Sequence, residues 1–314
     1  MKEFTEYLQS RNLSKTTIEI YLRYVNGFLD WYAKEPINCK KKDVLKYLAF
    51  LKNKKQYQNL TRKHILLAIN HYFTALLKNE LITSNPTAFL KIRGTNKKQL
   101  YNTFILEELT ELADNYYYSF VRNYDDNHIP KNQKNLSKLS KERNYIMLSL
   151  LTFQGLATNE LQNIKLDDLD LAKATIKITG KKKSNQRNIP LEASQIGAFM
   201  HYIQNIRPQF LNYQKSEDNE NLFLPLPEAG RSKAQEKNNL LGVMKNLSKQ
   251  VKTLNASFVN FRQIRASVIT HWIKNFGLRK AQYLAGHRYI SSTENYLPND
   301  LESLTEDITK FNPF

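Results

Sequence analysis

The last quarter of the chain, SFVNFRQIRASVITHWIKNFGLRKAQYLAGHRYISSTENYLPND, places Arg262, Arg265, His287 and Tyr296 where helix ends and loops are expected. A phenol ionises at about pH 10, so a tyrosine becomes a nucleophile near neutrality only where cations stabilise its phenolate. Guanidinium forks supply such cations and grip phosphoryl oxygens with a fixed bidentate geometry. A second basic run, Lys181, Lys182 and Lys183, follows Gly180 between two short apolar segments. Ammonium groups in a polar turn can touch phosphate, and an ammonium can release a proton where a guanidinium, protonated above about pH 12, cannot. These residue types suit attack on a phosphate ester.

The whole chain carries the matching charge. Its 314 residues hold 47 Lys and Arg against 29 Asp and Glu, a formal +18 that points to a polyanionic partner. Residues 1–92 contribute 16 of the cations and 7 of the acids, so half the surplus lies in less than a third of the length. Within that stretch Lys40, Lys41, Lys42, Lys46, Lys54, Lys55, Arg62 and Lys63 cluster, with Asn59 and Thr61 interleaved. Helices facing a duplex would use such cations on phosphates and the amide and hydroxyl groups on bases. None of the nine glycines stands in a GxxxxGK arrangement, which argues against ATP hydrolysis. Cys39 is the sole cysteine, so an internal disulfide and a Cys-rich zinc site are excluded, and a reducing cytoplasm is expected. No run approaches the roughly 20 apolar residues of a membrane span, and acids lie where a secretory core would fall, so export is not expected.

Periodicity gives the elements that must hold these groups. Ile18, Tyr21, Leu22, Val25, Phe28, Leu29 and Tyr32 form one helical stripe, preceded by Ser14 as an N-cap. Further helices are expected over Glu3 to Ser10, about Lys42 to Leu51 and about Leu60 to Leu81, which makes residues 1–92 a four-helix unit. A linker with Gly94 and several cations covers 93–100, and one larger domain covers 101–314. In that domain, residues 119–142 read as an exposed loop. A helix follows from Arg143 to Phe153, breaks at Gln154 and Gly155, and resumes from Thr158. ATIKIT alternates over β-branched residues and, with RNIPL, forms a hairpin. Helices return over Ile196 to Ile206, Asn238 to Leu254 and Arg265 to Phe276, with His271 and Trp272 assigned to the core. The fold class expected is mainly α: a helical N-terminal domain and an α+β domain with a small antiparallel sheet.

The C-terminal segment resembles the second box of the tyrosine recombinases, the phage-integrase and Xer-type strand-exchange enzymes. Their HxxR is followed by a Gly-His pair and then by Tyr. Here Arg265 matches the Arg, Gly286 and His287 fall about 22 residues on, Tyr296 lies nine after the His, and Thr293 three before it. The first box, TGLRxxEL, has its counterpart in QGLATNELQNIKLDDLDL, where Leu156, Glu160, Leu161 and Asp168 match. The likeness covers most of the chain. It implies a core DNA-binding domain followed by a recombinase domain that forms a 3′-phosphotyrosyl link through Tyr296. Lys181 corresponds to the hairpin general acid, with Lys182 or Lys183 as alternatives, and His287 to the His that bonds the scissile phosphate. It further implies double-stranded DNA as partner, a homotetramer on that DNA, DNA-bending accessory proteins, and neither metal nor cofactor.

Two positions depart from the pattern: Ala157 stands at the first Arg, and Arg262 at the His of HxxR. Deleting one donor to a developing oxyanion costs about 2.7–4 kcal/mol. A substitute fork is therefore expected, and Arg262, paired with Glu160, is the one proposed by sequence. Arg143 is a lesser candidate, roughly 21 Å upstream if one helix continues at 1.5 Å per residue. Two other functions stay open at this level. One is a decayed recombinase that binds its sites without cutting; the other is a type IB topoisomerase. Leu301, Leu304 and Ile308 form a small apolar stripe suited to docking on a neighbouring protomer or on their own domain.

Overall fold

A computed structural model describes residues 1–94, 101–180, 184–214, 220–225 and 240–297. Its contacts divide the chain into two units, Met1–Lys98 and Gln99–Phe314.

The first unit contains α1 (Lys2–Ser10), α2 (Lys15–Tyr32), α3 (Lys41–Asn53) and α4 (Asn59–Lys78). The Ser14 hydroxyl accepts the Thr17 N–H at 3.2 Å, so α2 begins where the cap was expected. Ile18, Val25 and Phe28 from its apolar stripe are buried with Phe4, Leu8, Val44, Leu51, Ile69 and Phe73. Phe28 lies edge-on to Tyr47 and Phe73, at 5.1 and 6.0 Å between ring centroids, and so ties α2 to α3 and α4. Each such fully buried ring or aliphatic side chain contributes about 1.5–3 kcal/mol.

The second unit begins with α5 (Leu106–Tyr117), a π-helical turn (Tyr118–Arg122) and α6 (Lys131–Phe153). The expected loop over 119–142 is thus largely helical. Polar residues populate the outer face of α6, where Lys134 and Lys138 pair with Asp126 and Lys141 lies over the rings of Phe120 and Tyr124, while Leu139 is buried. These tertiary partners override weak local periodicity. Next come α7 (Thr158–Leu161) and a sheet of β1 (Leu169–Asp170), β2 (Thr175–Ile178) and β3 (Arg187–Pro190). The sheet is antiparallel in the order β1-β2-β3, with Ile176 opposite Ile189 and Ile178 opposite Arg187. Side chains alternate across a strand, so Ile176, Ile178, Ile189 and Arg187 all face the core.

Among the described residues, helices α8 (Ala193–His201), α9 (Arg207–Gln214), α10 (Leu240–Leu254), α11 (Phe261–Ala285) and α12 (Ile290–Glu294) follow. Asn260 caps α11 by accepting the Arg262 and Gln263 N–H groups, and Gly277 kinks the helix with φ 76°. Trp272 is buried as expected, whereas His271 is half-buried and bonds Asn275. The fold is mainly α, with a helical first domain and one small antiparallel sheet in the second. Among the described residues, no helix is long and apolar enough to cross a membrane.

Candidate active site

The site is organised around a buried carboxylate. Glu160, in the single turn of α7, is 9% exposed and accepts the Ala157 N–H at 2.8 Å. Arg187 reaches it from β3 in a bidentate pair, Nη1 to Oε1 at 2.8 Å and Nη2 to Oε2 at 3.1 Å. Arg265 reaches it from α11, Nη1 to Oε2 at 3.4 Å. Burial alone would raise the Glu160 pKa; hydrogen bonding and charge from Arg187, then the charge of Arg265, outweigh it and hold the carboxyl below its usual range. A carboxylate removed from water is tolerated only with such partners.

The same two guanidinium groups close the C-terminal end of α11. Helix ends leave carbonyls without intrahelical partners, and their partial negative charge attracts cations. Arg187 Nε donates to the Leu284 carbonyl at 2.7 Å, and Arg265 Nη2 to the Ala285 carbonyl at 2.8 Å. The Gly286 carbonyl accepts the Asn185 N–H at 2.9 Å, and Ser184 forms a β-bridge with His287. Gly286 takes the left-handed conformation, φ 69°, that ends helices, and a Cβ there would stand 2.8 Å from Arg187 Cζ. Arg265 also donates Nη1 to the Gly155 carbonyl at 2.6 Å. The interruption after α6 therefore presents a carbonyl to the site.

Beyond this turn lie the imidazole and the phenol. His287 Nδ1 lies 2.9 Å from the hydroxyl of Thr293, a residue with no exposed surface. The imidazole stacks on Tyr296, with 5.7 Å between centroids and 13° between planes. Tyr296 is half-buried, packs against the core of the unit, and interacts electrostatically with Arg265. Burial, then repulsion by Arg265 and Arg187, lowers the His287 pKa to about 4, so the ring is neutral at neutral pH.

Arg265, His287 and Tyr296 are thus brought together as the spacing implied. The expected pairing of Arg262 with Glu160 is corrected. The carboxylate is already held by Arg187 and Arg265, and Arg262 is exposed one helical turn before Arg265. Arg143 is buried elsewhere, bonded to the Leu224 carbonyl and lying over Phe210. Lys181, Lys182, Lys183 and the Leu301, Leu304, Ile308 stripe fall outside the described residues. Arg187 was missed by sequence reasoning. Its signal was a charged residue of the same parity as Ile189, at a core-facing position of a strand.

In the first unit Lys41, Lys42, Lys46, Lys54, Lys55 and Lys63 are exposed. Arg62 is half-buried instead, with Nη2 bonded to Asn59 at 2.6 Å and Nη1 to the Leu48 carbonyl at 3.4 Å, so its fork serves the packing of α3 on α4. Cys39 is partly buried, and burial followed by the nearby Asp43 pushes its thiol up to about 12, an inert group.

Comparison with known proteins follows the same division. Residues 1–83 match the phage integrase N-terminal SAM-like domain, and residues 122–302 match the phage integrase family. The chain belongs to the phage integrase family. Site-specific DNA recombination is the activity class of this integrase-family chain. Tyrosine recombinase XerC of Natranaerobius thermophilus is 27% identical over 322 residues, covering 99% of this chain and 97% of that one. The XerH site-specific recombinase, bound to a palindromic difH substrate in a post-cleavage complex, matches with TM-score 0.68 and 18% identity, over 96% of this chain and 82% of that one. A lambda integrase tetramer bound to a Holliday junction matches with TM-score 0.58 and 14% identity, over 92% and 76% of the two chains.

Proposed function

We propose that this recombinase cleaves and rejoins DNA through Tyr296. The carrying observation is the Arg265 guanidinium, anchored by Glu160 and two main-chain carbonyls beside a phenol that stacks on His287. In the reaction the phenolate oxygen attacks the scissile phosphorus, a 3′-phosphotyrosyl bond forms, and the bond to the 5′ oxygen breaks. The phenol proton passes to water, while Lys181 protonates the departing 5′ oxygen. Arg265 and His287 hold the phosphoryl oxygens, and neutral His287 contributes as a hydrogen-bond donor rather than as a cation. Arg262, exposed on the same helix, supplies a further guanidinium to the DNA. Attack by the freed 5′ hydroxyl of a second strand reverses the step, so bond energy is conserved and no nucleotide cofactor is needed.

Residues 1–92 form the core-binding domain, with Lys41, Lys42, Lys46, Lys54, Lys55 and Lys63 on phosphates; 93–100 is the linker and 101–314 the catalytic domain. The working assembly is a homotetramer on double-stranded DNA; lambda integrase binds a Holliday junction as a tetramer. It acts in the cytoplasm, with accessory DNA-bending proteins where the site demands a bend.

The test is covalent trapping. Wild-type protein is incubated with a pool of nicked duplexes randomised over the central base pairs, denatured, and the protein-linked DNA recovered. Recovery of a common sequence that is lost in Tyr296→Phe supports the reading. Sequence-specific mobility shifts without an adduct would make the protein a binder that no longer cuts, and an adduct without sequence preference would make it a topoisomerase.

A further inference from the structure

We propose that Arg187 is a positioning residue for strand cleavage, fixing the Arg265 guanidinium and the Gly286–His287 turn against Tyr296. This rests on the reading of Tyr296 as nucleophile.

Arg187 itself cannot meet a DNA phosphate where it stands, because its side chain has no exposed surface. What it touches are the two supports of the site. Its Nη atoms hold both oxygens of Glu160, the carboxylate that anchors Arg265, and its Nε holds the Leu284 carbonyl, two residues before Gly286. Its Cζ fills the space a side chain at Gly286 would need. One planar group therefore joins α7, β3 and the end of α11 with three hydrogen bonds. Without it Glu160 keeps the Ala157 N–H and the longer contact to Arg265, and the carboxylate draws Arg265 toward itself. The position is also where a fork is missing from the local sequence: Ala157 offers Glu160 only its backbone. The opposite strand of the site, rather than α7, supplies the guanidinium.

Lysine at 187 keeps the charge but loses the fork, so it separates charge from geometry. Methionine removes both and leaves the volume nearly filled. Cleavage is measured in single turnovers on the duplex recovered by trapping, at saturating protein, alongside the apparent affinity for the same duplex and the thermal midpoint. For Arg187→Met the cleavage rate should fall about 100-fold, the scale set by an ångström of misplacement, with affinity within about threefold of wild type. Arg187→Lys should recover part of the rate and stay about tenfold slow. The double variant Arg187→Met/Glu160→Gln, which removes the uncompensated carboxylate, should regain thermal stability but not rate.

The pH profile is the readout that simple destabilisation would not move. His287 is faced by Arg265 from α11, Arg187 from β3, Glu160 from α7 and Tyr296 beyond α12, so loss of Arg187 should shift the acid limb of cleavage to higher pH. A folded Arg187→Met protein cleaving within about threefold of wild type, or a double variant restored to the wild-type rate, would overturn the proposal. Should the Met variant not fold, a folded Arg187→Lys protein with wild-type rate overturns it equally. If wild-type protein traps no duplex, the nucleophile reading fails first and this inference with it.

Discussion

Lys42 and Lys46 stand in solvent one turn apart on α3, whereas in the second unit Arg187 is buried and Arg265 mostly so, each bonded to a carboxylate and to main-chain carbonyl oxygen. The difference follows from the two side chains. An ammonium is a compact, strongly hydrated charge that acts on a phosphate through screened attraction, while a guanidinium fork is planar, less hydrated and suited to fixed partners. Charge that merely recruits a polyanion can be spread over a helical surface; charge that must stabilise one developing oxyanion has to be aimed. Even in the first unit the exception obeys the rule, since its one inward-turned cation in the basic cluster is Arg62.

The comparison breaks most readily at Arg265. Arg265→Ala should lower single-turnover adduct formation by about 1,000-fold, the upper end for loss of one preorganised donor, while Arg187 keeps Glu160 paired and the protein folded. Retention of a tenth of the wild-type rate would mean that aim matters less than the geometry implies. The next effect is smaller and isosteric. Thr293→Val removes the hydroxyl bonded to His287 Nδ1 but keeps the packing, and should slow cleavage about tenfold, with Thr293→Ser near wild type. Equal losses in both variants would make the contact a matter of packing.

On the diffuse side, the paired change Lys42→Gln/Lys46→Gln should reduce the slope of log affinity against log salt by about 1.8, two phosphate contacts at about 0.9 each, without changing the cleavage rate at saturation. An unchanged slope would remove α3 from the DNA-facing surface. The remaining effect is a pH dependence of stability. His287 has a folded pKa of about 4, below the ordinary value of about 6.5, so the unfolded chain binds the extra proton first. Its contribution is full above about pH 6.5, declines as pH falls toward 4, and stops changing below that. His287→Gln should flatten this part of the denaturation curve.

Much of this arrangement was legible in residue order. The stripe of α2, the Ser14 cap, the hairpin and the grouping of Arg265, His287 and Tyr296 all come from local periodicity and spacing, which the structure obeys because each element has one apolar face to bury. Two features were not legible. The first half of α6 carries its stabilising partners, Asp126, Phe120 and Tyr124, outside the helix, so no window over the helix alone contains them. Arg187 was overlooked because a cation in a polar hairpin reads as solvated, and only the strand register, which sets it opposite Ile178 and beside Ile189, turns it inward. Arg262 was assigned the missing fork because it stands where the family has its His, which keeps the number of forks, but the carboxylate is satisfied from across the unit by Arg187.

The bridge between Ser184 and His287, with the Asn185 bond to the Gly286 carbonyl, has a mechanical consequence. Ser184 and Asn185, which lead into β3, are stitched to the segment bearing the imidazole, so neither can shift without tugging the other. This seam yokes them.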